Sequence, residues 1–314
     1  ANEMFIDTAS LRSSVVSHAK TLGYTPRSVR ASKATVDITL NDTSVTTATL
    51  ARGTKFSTVV DDITYNFLVN TARTKSRVDN VLTFDNVDLF EGSLITTRYT
   101  VDSTNVDQRF IIPDSNADTT TLTVSIQNSS TDTTTTVFTL ATDISQVSDT
   151  SNSYFLQEIE NGQFEVYFGD GVIGKALTDN NIVILEYIVT NKSVANGAST
   201  FTPPGSISGS SDNSVATVSS ATGGAEAENI QSIKLNAPLD YASQGRAVTT
   251  NDFKVIVPTL FANTQSVSVW GGEDNDPASY GKVFISVKTT TGSDLTTTQK
   301  RNLETSLKSF VVSS

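Results

Sequence analysis

The chain of 314 residues carries a formal net charge of −11 and has a sequence pI near 4.6. This length allows two or more domains with a sizeable core. The acidity argues against a nucleic-acid surface, because no basic stripe is present to displace counterions from phosphates. The absence of cysteine excludes disulfides, thiolate metal sites and cysteine nucleophiles. No apolar run approaches the roughly 18 to 20 residues of a membrane helix. From the acidity and from the absence of such a run, we expect neither nucleic acid nor a membrane as a partner.

The N-terminal segment, residues 1–33, predicts a helix over Thr8–Leu22. Apolar residues recur within it at helical spacing, Asp7 or Thr8 is placed to cap its start, and a glycine follows its end. His18 lies on the apolar face and is the single histidine of the chain. We therefore expect a packed, structural histidine, since one imidazole does not make a multi-histidine metal site.

Residues 34–109 predict a β-rich domain. Apolar and polar residues alternate with period two over several short runs, of which Thr35–Leu40 is the first. Asp61-Asp62 separates two of these runs and predicts a hairpin turn. Threonine is abundant here, and its β-branched, polar side chain suits half-exposed strands.

Two segments that follow are less regular. Residues 110–160 predict an inserted β unit with strands at Leu122–Gln127 and Thr135–Leu140. Residues 201–224 predict a linker, because Pro203-Pro204-Gly205 is followed by further serine and glycine. We therefore expect the domains before and after this linker to be separate bodies.

Residues 225–314 predict a small α/β sandwich in the order helix, strand, strand, helix. The first helix covers Glu226–Ala237 and stops at Pro238, and the second is capped by Thr249 or Thr250. Pro258 is expected to kink the second helix or to end its regular part.

The last part of this sandwich consists of two strands and one helix. The strands are expected at Gln265–Trp270 and Lys282–Lys288, and Thr296–Gln299 reads as a capping box that opens the final helix. The chain starts with Ala1 rather than methionine and ends directly after this helix. We therefore expect a fragment of a longer polypeptide, with the sandwich truncated.

Residues 161–200 contain the most specific sequence motifs of the chain. We interpret this stretch as a β-hairpin element of the core β domain. Phe164–Phe168 alternates as a strand, and Gly169-Asp170-Gly171 supplies the positive φ of a tight hairpin turn. Ile182–Val189 is apolar on both faces except for one glutamate, which is typical of a strand buried on both sides. Ala195-Asn196-Gly197 is a further turn signal.

These motifs resemble a known family. The F-G-D-G-hydrophobic-hydrophobic-G run and the later Y-x-x-T-N-x-x-x-A-N-G run are similar to the baseplate J-like family of contractile-tail phages. A second block supports the resemblance, in the order Ala237-Pro238-Leu239, Gly245–Thr249 and Asp252-Phe253. The opening, from Asn2 to Arg27, narrows it to baseplate wedge proteins of T-even-like phages, and the acidic, threonine-rich wording is similar to phages of marine cyanobacteria.

The resemblance implies a structural subunit of the tail baseplate wedge. Such a protein assembles in the host cytoplasm with other wedge subunits and with copies of itself, as a homodimer or in a ring around the tail hub that rearranges when the sheath contracts. It is expected in the virion, without enzymatic activity, cofactor or metal. The expected fold is α+β and multidomain, with an N-terminal helix, β-rich central domains and the C-terminal sandwich. The residues expected to set the architecture are Phe168, Gly169, Asp170, Gly171, Gly174, Asn196, Gly197, Pro238, Gly245, Arg246, Thr249 and Asp252.

The residues bear on three other functions. A hydrolase is disfavoured because no G-x-S-x-G elbow is present, and Ser17–Lys20 matches S-x-x-K only by letters within a predicted helix. Glu273–Asp276 offers oxygen ligands of the kind that calcium prefers, but it lacks the EF-hand spacing and suits a solvated acidic loop. A surface adhesin or receptor-binding module is the remaining alternative, although no fixed internal repeat supports it.

Overall fold

The structure is a computed structural model that describes residues 2–78, 82–105, 108–141, 147–243, 246–261, 264–289, 295, 297–308 and 310, apart from the side chains of Thr259 and Thr298. The helices are α1 (Arg12–Thr21), α2 (Ile230–Ser243), α3 (Thr250–Leu260) and α4 (Thr297–Leu307). The strands are β1 (Lys33–Leu40), β2 (Thr47–Leu50), β3 (Lys55–Val60), β4 (Ile63–Val69), β5 (Arg73–Ser76), β6 (Leu82–Glu91), β7 (Ser93–Thr100), β8 (Phe110–Ile112), β9 (Ala117–Gln127), β10 (Thr135–Leu140), β11 (Ser153–Glu158), β12 (Phe164–Phe168), β13 (Ile182–Val189), β14 (Asn213–Thr222), β15 (Thr264–Gly271) and β16 (Val283–Thr289). The α+β, multidomain fold that the sequence predicts is confirmed.

The chain divides into two compact units. The β unit comprises Arg27–Ala221 and Ala225–Ala227, and the α/β unit comprises Ala1–Pro26, Thr222–Gly224 and Glu228–Ser314. The N-terminal segment and the C-terminal sandwich, which the sequence analysis separated, therefore share one unit.

The first sheet of the β unit has five strands in the order β14-β1-β6-β4-β3. β3 and β4 form the predicted hairpin, and both Asp61 and Asp62 at its turn have positive φ, as a tight two-residue turn requires. β2 and β5 form a separate two-stranded ribbon. Ala48 and Leu50 of this ribbon belong to the same buried cluster as the inward residues of β1 and β6.

The second sheet has seven strands in the order β7-β13-β9-β10-β11-β12-β8 and is curled so that its two edges meet. The hydroxyl of Tyr99 on edge strand β7 donates to the carbonyl oxygen of Ile111 on edge strand β8, at 2.7 Å. The same Tyr99 ring contacts Phe110 edge-on, with centroids 5.8 Å apart. This contact continues through Phe168 to Phe138, so an aromatic chain fills the interior of the curl.

β13 lies next to edge strand β7, and all of its residues are buried or partly buried. It pairs antiparallel with β7 on one side and with β9 on the other. Val183, Leu185 and Tyr187 are fully buried on its inner face, and Ile188 is fully buried on its outer face. The prediction of a strand buried on both faces is therefore confirmed.

The two sheets are joined at Glu91-Gly92, where the chain leaves β6 and enters β7. Glu91 is 1% exposed, and its carboxylate accepts hydrogen bonds from the Thr190 hydroxyl at 2.7 Å and from the backbone and side-chain amides of Asn191 at 2.9 and 2.7 Å. Gly92 has φ +133°, and a Cβ placed on it would lie 2.2 Å from the carbonyl oxygen of Val189. The buried carboxylate thus satisfies polar groups beyond β13 while the glycine lets the two backbones touch.

Sheet pairing corrects the predicted boundaries at residues 109/110 and 160/161. β8 to β12 are not an inserted unit, because β12 pairs with β8 and β11 while β9 pairs with β13. Long-range strand pairing is invisible in local alternation, and it places all of these strands in one sheet with β7.

The segment 201–224 is not a linker. Its last part forms β14, which is the edge strand next to β1 in the first sheet. Phe201 is 6% exposed and contacts Phe67 edge-on at 5.0 Å, and Ile207 and Ala221 are also buried. The proline, serine and glycine residues make turns between these anchoring points, so their composition imitates a linker.

In the α/β unit, α1 packs against α2 through a small apolar cluster formed by Ala9, Val15, Val16, Ala19, Ile233 and Ala237. α1 starts at Arg12, four residues later than predicted, and neither Asp7 nor Thr8 is its N-cap. The carboxylate of Glu3 instead accepts hydrogen bonds from the backbone amides of Ser10 at 2.9 Å and Leu11 at 3.3 Å. A carboxylate from outside the helix therefore satisfies amides at its start.

α2 also differs from the prediction, because it runs from Ile230 to Ser243 with Pro238 inside it. The side chain of Asn229 accepts a hydrogen bond from the backbone amide of Ser232 at 2.8 Å, which fixes the helix start. Proline removes one backbone hydrogen bond, but the burial of Ile233 and Ala237 against α1 holds the helix.

The C-terminal part consists of α3, the β15–β16 hairpin and α4. Strands β15 and β16 pair antiparallel and confirm the two predicted strands. α3 continues past Pro258 to Leu260, so this proline does not end the helix. The predicted capping box of α4 involves Thr296, which lies outside the described residues.

We predict that Phe201→Ala lowers the free energy of unfolding of the chain by about 3–5 kcal/mol, because it leaves a cavity against Phe67. The matched control, Val218→Ala on β14, removes a 53% exposed side chain and is expected to change it by less than about 0.5 kcal/mol. Urea unfolding monitored by circular dichroism measures both. Equal, small effects would mean that the segment is a linker after all.

A second prediction concerns pH. Hydrogen bonds from the side chain and backbone of Ser10 lower the pKa of Glu3 from 4.5 to about 2. Because the folded pKa is depressed, this stabilisation is present above pH 4.5 and is lost as the pH falls towards 2. Hydrogen exchange of the Ser10 and Leu11 amides, corrected for the intrinsic rate, should therefore accelerate as the pH falls over this range. Glu3→Gln should remove that dependence, while the exposed control Glu273→Gln should leave it intact.

Candidate assembly surfaces

The F-G-D-G motif forms a loop rather than a tight hairpin between paired strands. β12 pairs with β11 and β8, whereas β13 pairs with β7 and β9, so the strands on either side of the motif are not partners. We call residues 169–175 the apolar-tipped loop. Its conformation is set by local hydrogen bonds, and the strand alternation around it does not reveal the pairing.

Asp170 organises the apolar-tipped loop. Its Oδ1 atom accepts hydrogen bonds from the backbone amides of Val172 at 2.9 Å and Ile173 at 3.1 Å, which is an Asx-turn arrangement. These backbone hydrogen bonds lower the pKa of Asp170 below its ordinary value. The carboxylate therefore orders the loop, although the turn is not the tight hairpin that the sequence predicts.

The glycines of this loop are required by close approach and by φ. A Cβ on Gly169 would lie 2.2 Å from the carbonyl oxygen of Ile173, so no larger residue fits there. Gly171 and Gly174 have φ of +87° and +85°, the left-handed region that other residues avoid. The Gly171 amide donates to the Gly174 carbonyl at 3.0 Å, and the Gly174 amide donates to the Ser148 carbonyl at 3.0 Å.

The tip of this well-tied loop is apolar and exposed. Val172 is 73% exposed and Ile173 is 44% exposed, while Phe168 at the base of the loop lies in the aromatic interior of the curled sheet. Exposed apolar residues on an ordered loop can bind a partner without a large cost in conformational entropy. The loop therefore has the physical character of a docking element.

Asn196 and Gly197 connect three segments within the β unit. The Asn196 side chain accepts a hydrogen bond from the Ser32 hydroxyl at 2.8 Å. Gly197 has φ +92°, and its amide donates to the Ala221 carbonyl on β14 at 2.7 Å. These residues tie the chain after β13 to both β1 and β14.

The remaining motif residues lie around α2 and α3 of the α/β unit. Thr249 and Asp252 form a complete capping box at the start of α3, in which the Asp252 carboxylate accepts from the backbone amides of Val248 at 3.0 Å and Thr249 at 2.7 Å. Partial burial raises the pKa of Asp252, but these hydrogen bonds outweigh it and the net pKa is lowered. Arg246 is exposed, and Gly245 lies outside the described residues.

The described motif residues thus lie in both units, and local hydrogen bonds are seen for Asp170, Gly171, Gly174, Asn196, Gly197, Thr249 and Asp252. The sequence analysis missed the exposed apolar side chains Met4, Phe5, Leu235, Tyr241 and Val248 of the α/β unit. Leu235 was detectable, because it lies two positions from both Ile233 and Ala237 and therefore on a different side of α2 from these residues, which pack against α1.

Side chains that could ligate a metal ion are not clustered in the part of the chain that the structure describes. Within these ranges, no group of three or more histidine, cysteine, aspartate or glutamate side chains is placed to hold a metal ion. The ring Nε2 of His18 lies 2.9 Å from the carbonyl oxygen of Glu3, where it is half-buried in the α/β unit. Of the helices that the structure describes, none has the length and hydropathy needed to cross a membrane.

We predict that Gly169→Ala destabilises the β unit by about 1–3 kcal/mol, because the added methyl overlaps the Ile173 carbonyl oxygen. The control is Gly205→Ala, since a Cβ there has no atom within 4 Å and the residue does not need a positive φ. We expect that control to be neutral or stabilising by up to about 1 kcal/mol. Thermal unfolding and amide exchange of residues 169–175 provide the measurement, and equal behaviour of the two variants would contradict the close approach.

The sequence of this chain matches one family model and one known protein. Residues 249–314 match the family model described as the C-terminal domain I of the baseplate structural protein gp6. The baseplate wedge protein gp6 of Enterobacteria phage T4 is 28% identical over 335 residues, covering 98% of this chain and 49% of the relative. The chain therefore spans about half the length of that relative.

A solved structure, the six-fold symmetrised cryo-EM baseplate of the anti-feeding prophage, aligns over 95% of this chain and 58% of that chain. The TM-score is 0.28 and the identity is 12%, so the overlay is too loose to establish a shared fold. The two sequence matches stand without it. They show that this chain is similar to the T4 baseplate wedge protein over nearly its whole length, and to a baseplate structural protein domain over residues 249–314.

Proposed function

We propose that this chain is part of a baseplate wedge subunit of a contractile phage tail, where it acts as a structural element. The observation that carries the proposal is the sequence similarity to the T4 wedge protein, which extends over 98% of the chain. Two sequence motifs, F-G-D-G and G-R-A-V-T, also resemble those of the baseplate J-like family. Its partners would be other wedge subunits and copies of this chain. It would assemble with them in the host cytoplasm before incorporation into the virion.

The mechanism would be that of interfaces. In the β unit, the sheets are locked at Glu91-Gly92, so this unit would move as a rigid block when the sheath contracts. The apolar-tipped loop would supply one contact point, because Val172 and Ile173 are exposed on a loop that internal hydrogen bonds already order. A switch between two arrangements of such contacts requires no catalytic group in this chain.

The location can be tested by electron microscopy of purified phage particles labelled with an antibody fragment raised against this chain. We expect label in a ring at the base of the tail. Label on fibre tips would favour the alternative of an adhesin or receptor-binding module, and particles without label would contradict a virion component. An irrelevant antibody fragment of the same format is the control.

The same particles test the apolar-tipped loop. In phage carrying Val172→Asp with Ile173→Asp, the label should be lost from the ring, because charged side chains at the tip disfavour burial in a contact. The matched change Val218→Asp places a charge at another exposed valine and should leave the ring intact. Retention of label with the double substitution would remove the loop from the assembly contacts without affecting the location.

A further inference from the structure

The hairpin of β3 and β4 extends beyond the sheet that anchors it. β4 pairs with β6 only from Phe67 to Val69. β3 is the edge strand of the five-stranded sheet, and its outer side is paired only at Ser57, with Thr202. Beyond these positions, no strand in the described part of the chain pairs with either side of the hairpin. We call residues 59–64 the hairpin tip.

The hairpin tip is ordered and exposes apolar side chains. Val60 and Tyr65 at its base pack against the buried cluster of the first sheet. Val59 is 64% exposed and Ile63 is 55% exposed. Val60 pairs with Ile63 and Val59 pairs with Thr64, so the two exposed residues lie on opposite faces of the hairpin. Such residues on an ordered element can be buried by a partner with little loss of conformational entropy.

The turn of the hairpin tip uses residues that turn geometry alone does not favour. Asp61 and Asp62 have φ of +50° and +63°, and a turn of this kind is normally made by Asn-Gly or Asp-Gly. An aspartate at the second position is less stable there than glycine, because its Cβ crowds the backbone. Both carboxylates are exposed, and within the described residues neither has a hydrogen bond or ion pair. The tip thus keeps two charges where a glycine would give a more stable turn.

Charge decides which kind of partner suits this surface. The one cation on β3 and β4 is Lys55, which pairs with Leu68 at the opposite end of the hairpin. The tip is therefore locally negative. A second copy of this chain also carries a net charge of −11, so it would be repelled. A cationic protein surface is complementary to the two carboxylates, and arginine can bind a carboxylate through two hydrogen bonds.

We propose that the hairpin tip binds a different protein, whose surface has arginine or lysine side chains around a small apolar groove. Asp61 and Asp62 pair with these cations, and Val59 and Ile63 pack against the two walls of the groove. The proposal rests on the proposed baseplate role, since that role places other proteins next to this chain. It adds the surface that is used and the chemistry of the partner.

The contact can be tested by photo-crosslinking in the phage particles used for antibody labelling. A benzophenone-bearing phenylalanine analogue replaces Val59, and the cross-linked peptides are identified by mass spectrometry. We expect a cross-link to another protein of the particle, at a site with at least two arginine or lysine side chains. The same analogue in place of Val218, which is 53% exposed, should not reach that site.

A variant of the turn separates its charge from its geometry. Asp61→Asn with Asp62→Gly provides a favourable turn and removes both charges. The thermal midpoint of the purified chain should therefore rise by about 2–4 °C, whereas the cross-link yield from position 59 should fall about fivefold. Asp149→Asn with Asp274→Asn removes the same charge at two other exposed positions and should leave the yield unchanged.

Several results would contradict the contact at the hairpin tip. An unchanged yield in the turn variant would overturn it, and so would a cross-link to a second copy, a cross-link to a site without basic side chains, or no cross-link. The antibody label tests the baseplate role independently. A labelled ring without the cross-link would contradict the hairpin contact alone, whereas particles without label would contradict the baseplate role as well.

Discussion

The chain first passes from the five-stranded to the seven-stranded sheet at Glu91-Gly92, and the close approach of the backbones there constrains both residues. Gly92 lies so close to the Val189 carbonyl that any side chain would collide with it. The buried Glu91 carboxylate accepts from Thr190 and Asn191, which follow β13 directly. A carboxylate left in this place without these donors would be costly, so the two sheets hold each other in a single arrangement.

A second buried carboxylate strengthens the same arrangement. Asp118 on β9 is 1% exposed and accepts from the backbone amide of Ala31 before β1 at 2.9 Å, and from Thr120 within its own strand. The apolar cores of the two sheets are separate clusters. Polar groups rather than a shared apolar core therefore fix the orientation between the sheets, which favours one geometry over several similar packings.

Local chemistry was predictable from the sequence, whereas pairing over distance was not. Thr249 and Asp252, only three positions apart, predict the start of α3. The apolar run of β13, interrupted only by Glu186, predicts a strand that is buried on both faces. The role of Phe201 depends on its contact with Phe67, more than a hundred positions earlier in the chain, and nothing near Phe201 signals it. The prediction that the helix stops at Pro238 was wrong, because it considered only the local effect of proline. The packing of α2 against α1 stabilises the helix beyond this residue.

The Tyr99 hydroxyl, bonded to the carbonyl oxygen of Ile111, affects the free protein before it meets any partner. A wide sheet with two open margins is a template for fibrous growth, since any neighbouring chain can extend it. Here the widest sheet turns its margins towards each other, and one of them, β8, is only three residues long. At this sheet, the free protein is thereby protected from edge-to-edge growth by the shape of the sheet itself.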